Sequence, residues 1–92
     1  MTEPLRVLIL EDRPSDAELM VLRLEDEGFD PEWVRVETEP EYLAELDAIP
    51  DLILSDWSLP TFSGLRALKV VRGRGLDIPF VIVSGGIGEE AA

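Results

Sequence analysis

An open α/β fold with a parallel sheet is the architecture this sequence predicts, and three observations carry it. Short apolar runs at 7–10, 52–54 and 80–83 have the length of strands buried on both faces. Stretches of helical periodicity separate these runs and give the order βαβαβαβ. The runs also end alike: Glu11 and Asp12 follow the first, Asp56 stands just past the second, and Ser84 follows the last. Open α/β sheets bind their ligands at the C-terminal ends of strands, so this rim is where chemistry is expected.

Each element has its own signature. After the strand at 6–10, Pro14 and Ser15 open a helix, with Ser15 and Glu18 spaced as a capping box. Ala17, Met20, Val21 and Leu24 repeat at helical spacing, and Leu22 is expected to widen that stripe. Gly28 marks its end. The second strand is expected at 33–37, where Arg35 and Glu37 between the apolar residues suit a sheet edge. Pro40 opens a second helix with Tyr42, Leu43, Leu46 and Ile49 on one side, and Pro50 closes it. Ser63 is placed to cap a third helix carrying Leu65, Ala67, Leu68 and Val71, which Gly73 and Gly75 break. Pro79 leads into 80–83, three glycines follow, and 89–92 have the character of a first helical turn.

Composition narrows the function. The 92 residues, 46% hydrophobic with mean hydropathy +0.09, allow one small folded domain. Twenty acidic against eight basic residues give a net charge of −12, which disfavours nucleic acid and anionic membranes as direct partners. Without cysteine or histidine, disulfides, thiolate chemistry, imidazole bases and the usual zinc sites are excluded. No secretory leader or membrane-spanning run is visible, so a cytoplasmic location is expected.

Three carboxylates converging on one rim repel one another unless their pKa values rise or a cation lies among them. Magnesium takes oxygen donors and bridges to phosphate, so Mg2+ at Glu11, Asp12 and Asp56 is the expected cofactor. A carboxylate beside it can act as a nucleophile toward phosphorus, giving an aspartyl-phosphate on Asp56, with Ser84 able to hydrogen-bond a phosphoryl oxygen. Taken singly, these residues read as ordinary helix-entry and turn residues. Their joint occurrence on successive core strands is what points to a site. Arg72-Gly73-Arg74-Gly75 reads as a helix-ending turn, and Trp33 and Trp57 as packing residues.

These motifs resemble the receiver domain of two-component response regulators. The matching features are Glu11-Asp12, the run Asp56-x-x-Leu59-Pro60-x-x-x-Gly64, and Ser84-Gly85, and the resemblance spans essentially the whole chain. It implies a flavodoxin-like, doubly wound parallel sheet of order 2-1-3-4-5, here 2-1-3-4. It implies Asp56 as phosphoacceptor, Asp12 as a direct magnesium ligand and Glu11 as a ligand through water. The backbone carbonyl of Ser58 would be a further ligand, and Ser84 the switch hydroxyl. The implied partners are a sensor histidine kinase or phosphotransfer protein as donor, and an output domain or partner protein as target. The resemblance implies a signalling module rather than an enzyme.

The family pattern continues into a fifth strand and fifth helix, with a lysine and an aromatic residue, that these 92 residues do not contain. Lys69, the sole lysine, lies in the third helix and does not match it. The chain is accordingly expected to be a receiver domain over 1–92 that is incomplete at its C-terminus. A receiver-derived interaction module that no longer switches is the alternative function. A magnesium-dependent phosphatase would want Asp-x-Asp after the first strand, which Glu11-Asp12-Arg13 does not supply. If the chain ends at Ala92, the apolar strand 80–83 becomes an edge, and a homodimer paired through it is expected.

Overall fold

The first strand, β1 (Glu3–Leu10), lies inside a parallel four-stranded sheet, with β2 (Phe29–Val36) on one side and β3 (Leu52–Asp56) on the other. β4 (Phe80–Val83) pairs with β3, so the order is β2-β1-β3-β4. The computed structural model describes residues 3–56 and 63–83. Three helices connect the strands: α1 (Pro14–Asp26), α2 (Glu39–Leu46) and α3 (Gly64–Gly73).

The apolar run of β1 is continuous because helices cover both faces of the strand. Val7 and Ile9 pack with Ala17, Met20 and Val21 of α1 and with Leu54. Leu8 and Leu10 pack with Tyr42 and Leu46 of α2, Ala67 and Val71 of α3, and Ile53. Each such side chain, once fully buried, contributes about 1.5–3 kcal/mol. The doubly covered central strands are therefore the rigid base from which the rim residues project. Tyr42, fully buried, also donates its hydroxyl to the carbonyl of Ala67 (2.8 Å), tying α2 to α3.

Several elements depart from the sequence reading. β1 and β2 both begin earlier than expected, because the two pair residue for residue from Glu3↔Phe29 to Leu10↔Val36. Pro31 is tolerated within β2 because the strand is at the edge, where one side of its backbone needs no ladder partner. Ser15 does not cap α1. The helix starts at Pro14, with Arg13 at the N-cap position and no side-chain cap, since proline at the first position needs no amide partner.

Leu22 does not extend the buried stripe and is 55% exposed, because it points away from the side where Ala17, Met20 and Val21 meet the sheet. The capping box belongs instead to α2, where Thr38 and Glu41 satisfy each other's backbone amides. Ile49 lies past the end of α2 with φ of 51° and is 56% exposed, so it is not part of that helix's buried side. Leu65 is likewise exposed, whereas Ala67 and Val71 are buried. Ser63 caps α3 as expected, accepting from the amide of Arg66 at 3.2 Å. The expected helical turn at 89–92 lies outside the described residues.

Candidate functional site

Strand register builds the site. Leu10 pairs with Ser55 across β1 and β3, so the next residue of each strand, Glu11 and Asp56, comes level at the C-terminal rim. Asp56 is the last residue of β3 itself, one position tighter to the sheet than a residue following it. It is level in turn with Val83, the last residue of β4. Asp12 belongs to the short turn that leads to α1 at Pro14. A carboxylate oxygen from each of Glu11, Asp12 and Asp56 lies within 4.8 Å of the others. The sequence reading brought these three together, and the fold does so.

Glu11 is the most constrained of the three. Its amide continues the sheet ladder to the carbonyl of Val36 (3.1 Å), its carboxylate accepts from the amide of Arg13 (3.1 Å), and it is 2% exposed. Burial is the main cause that pushes its carboxyl up, from 4.5 to about 7. The Arg13 amide opposes that rise, while a hydrogen bond with Asp12 and the charges of Asp56 and Asp16 add to it. The cluster thus holds more negative charge than its surroundings accommodate, and a cation relieves that directly.

Every donor is a carboxylate oxygen, and the chain has no thiol or imidazole to add. Such an all-oxygen set fits a hard divalent ion such as magnesium or calcium rather than zinc or copper. Asp12 is partly buried, so the cluster is not wholly enclosed at that residue. Ser58 and Ser84, assigned a carbonyl ligand and a hydroxyl donor by resemblance, lie outside the described residues, as does Trp57.

Two supports of the site were not foreseen. The guanidinium of Arg35, on β2, donates to the backbone carbonyl of Glu11 (3.1 Å) and pairs with Glu37 (3.5 Å). A cation therefore does stand beside the cluster, bonded to its backbone rather than to its carboxylates. The alternation around Trp33, Arg35 and Glu37 located β2 at the edge but gave no sign of this reach across the end of β1. The second support is Ser55, a fully buried hydroxyl that donates to the carbonyl of Asp56 (3.1 Å). In sequence it is one polar residue next to a carboxylate, with nothing to separate it from a turn serine.

A parallel α/β sheet with a carboxylate group at the C-terminal rim places the candidate site where open α/β sheets bind their ligands. The comparisons with known proteins narrow the class further. Residues 7–92 match the response regulator receiver domain, and the chain belongs to that family. Receiver domains are signalling modules of two-component systems.

Among curated relatives, the phosphate regulon transcriptional regulatory protein PhoB of Klebsiella pneumoniae is 38% identical over 82 residues, covering 86% of this chain and 35% of that protein. The cell cycle transcriptional regulator CtrA of Caulobacter vibrioides is 35% identical over 81 residues, covering 88% of this chain and 35% of that protein. The chain thus spans about a third of the length of these relatives. Among solved structures, the signal receiver domain of the response regulator NarL from Mycobacterium tuberculosis superposes with a TM-score of 0.74 at 22% identity. That match covers 95% of this chain and 71% of the other, and it supports the sheet order and helix placement. No helix among the described residues is long and apolar enough to cross a membrane.

Proposed function

We propose that Asp56 of this chain accepts a phosphoryl group in a two-component signalling pathway, with Mg2+ held at the carboxylate rim. The observation that carries the reading is the convergence of Glu11, Asp12 and Asp56 within 4.8 Å at the ends of two core strands, in a chain of the receiver family. Asp12 would hold the ion directly and Glu11 through water, with Asp56 and the carbonyl of Ser58 as further oxygen donors. When bound, the ion offsets charge on the phosphoryl oxygens during transfer.

One carboxylate oxygen of Asp56 forms the new O–P bond. The bond that breaks is P–N of a phosphohistidine on a sensor kinase or phosphotransfer protein, or P–O of a small acyl phosphate. The bonding pair leaves on the imidazole nitrogen or on the carboxylate oxygen of the acid. Ser84 then hydrogen-bonds a phosphoryl oxygen, and the altered rim signals to an output domain or partner protein. The segment works as a cytoplasmic receiver domain over 1–92 and does not itself contact nucleic acid, in line with its charge of −12.

Acetyl phosphate with Mg2+ tests the proposal by intact mass. The chain is expected to gain one phosphoryl group, and the gain disappears in Asp56→Asn. An unlabelled wild-type chain, or label retained by Asp56→Asn, overturns the reading.

A further inference from the structure

A fully buried hydroxyl sits one residue before the proposed acceptor, and the phosphoryl chemistry above makes no use of it. Ser55 lies on β3 between Leu54 and Asp56, and its Oγ donates to the carbonyl of Asp56 at 3.1 Å. Close to it is the position of Gly64, the first residue of α3. A Cβ at position 64 would stand 3.0 Å from Ser55 Oγ and 3.3 Å from the carbonyl oxygen of Asp56. The space is thus filled by the hydroxyl, and glycine is what lets the start of α3 approach it. Gly64 needs no unusual φ here, so close approach is the reason for its lack of a side chain.

The arrangement closes the two ends of one segment. Asp56 begins the connection from β3, Gly64 ends it, and the Ser55 hydroxyl bonds the first and stands where a side chain on the second would go. Ser63, next to Gly64, is fixed as well, since it caps α3. We infer that Ser55 and Gly64 form a clasp that sets the direction of the Asp56 carboxylate, making both of them positioning residues for the acceptor. The clasp extends the reading of Asp56 as phosphoacceptor, but its geometry stands apart from that reading.

The two members are mechanically linked. Adding a methyl at 64 drives the Ser55 hydroxyl to rotate, and rotation breaks its bond to the Asp56 carbonyl. Removing the hydroxyl relieves the closer of the methyl's two tight contacts and leaves the 3.3 Å approach to the Asp56 carbonyl oxygen. The effects of Ser55→Ala and Gly64→Ala are therefore expected to overlap rather than multiply, which is the mark of residues acting through one contact.

The test follows the Asp56 side-chain carboxyl by carbon-13 NMR in the full chain labelled at aspartate, with the resonance assigned by its loss in Asp56→Asn. Acetyl phosphate labelling at saturating Mg2+ is followed in parallel. Ser55→Ala preserves the shape of the side chain apart from the hydroxyl, so it carries the test even if Gly64→Ala does not fold. The Asp56 resonance is expected to move in Ser55→Ala and in Gly64→Ala, and the double variant to match Ser55→Ala. Labelling should slow about tenfold in Ser55→Ala, with the double variant within about twofold of it. Other aspartate resonances, such as that of Asp30 on β2, should stay in place, which a general loosening of the fold would not allow.

An Asp56 resonance unmoved in Ser55→Ala overturns the clasp, as does a double variant whose effects multiply. If wild-type chain takes no phosphoryl group while the resonance moves as described, the acceptor reading fails and the clasp stands.

Discussion

Replacing Glu11 by glutamine removes one charge from the carboxylate rim with little change in shape, and the structure assigns that charge an energy. Taking the buried carboxyl from 4.5 to about 7 weighs against the ionised form by about 3 kcal/mol. Glutamine avoids this but brings an amide that itself needs partners, so a net gain of about 1–2 kcal/mol at pH 7.5 is expected without divalent ions.

The sign follows from linkage. The folded-state pKa lies above the unfolded one, so the folded chain binds the extra proton between pH 4.5 and about 7. Stability from this group is fully present below pH 4.5 and is lost as pH rises through about 7. Magnesium offsets most of the advantage by supplying the missing counter-charge to the wild type. Ten millimolar ion against a dissociation constant of about 1 mM adds roughly 1.4 kcal/mol to the wild type and less to the variant.

Urea denaturation from pH 4.5 to 8, with EDTA or with Mg2+, reads all of this. The variant should gain on the wild type as pH rises in EDTA, and lose most of that lead in Mg2+. A Glu11→Gln chain less stable than wild type in EDTA at pH 7.5, or one whose lead ignores magnesium, would refute the reasoning.

Other residues give independent expectations. Asp12→Asn should weaken divalent-ion binding most among the rim substitutions, by about tenfold or more, and a calorimetric titration showing unchanged affinity would contradict its role as a direct ligand. Ile49, β-branched at φ of 51°, carries left-handed backbone strain, so Ile49→Asn should raise the urea midpoint by the equivalent of about 0.5–1 kcal/mol; a lower midpoint argues against strain there. Tyr42→Phe removes the bond to Ala67 and should cost about 1 kcal/mol in the same assay. β4 is the outer strand among the described residues and Val81 is 46% exposed, so the 92-residue chain in isolation should pair through it. Val81→Lys should dissociate that pair in sedimentation, and a wild-type monomer at micromolar concentration would remove the idea.

Much of this fold can be read from the sequence because the informative features are short in range. The unbroken apolar run of β1 states that both of its faces are covered, and clusters on its two sides bear that out. Ser63 and Gly28 mark helix ends through their own chemistry, and both act where expected. The reading fails where a neighbour decides. Leu22 follows the helical stripe closely enough to look buried, yet only the placement of β2 and the sheet determines which side of α1 is covered. Ser15 has the spacing of a cap, but Pro14 already starts the helix one residue earlier.

The candidate site divides the same way. Glu11, Asp12 and Asp56 are visible as carboxylates at strand ends, since parallel strands must end on one rim. Arg35 and Ser55 are not visible, because their roles are hydrogen bonds to backbone carbonyls across a sheet or onto a neighbouring residue. No residue pattern along the chain encodes those.

Mapping the phosphorylated residue tests the central claim most directly. The chain is treated with acetyl phosphate with or without Mg2+, the acyl phosphate is reduced with borohydride, and the converted residue is located by peptide mass spectrometry. Conversion is expected at Asp56 alone, only when the divalent ion is present, and strongly diminished in Asp12→Asn. Conversion at another carboxylate, or at Asp56 to the same extent in EDTA, would contradict the account.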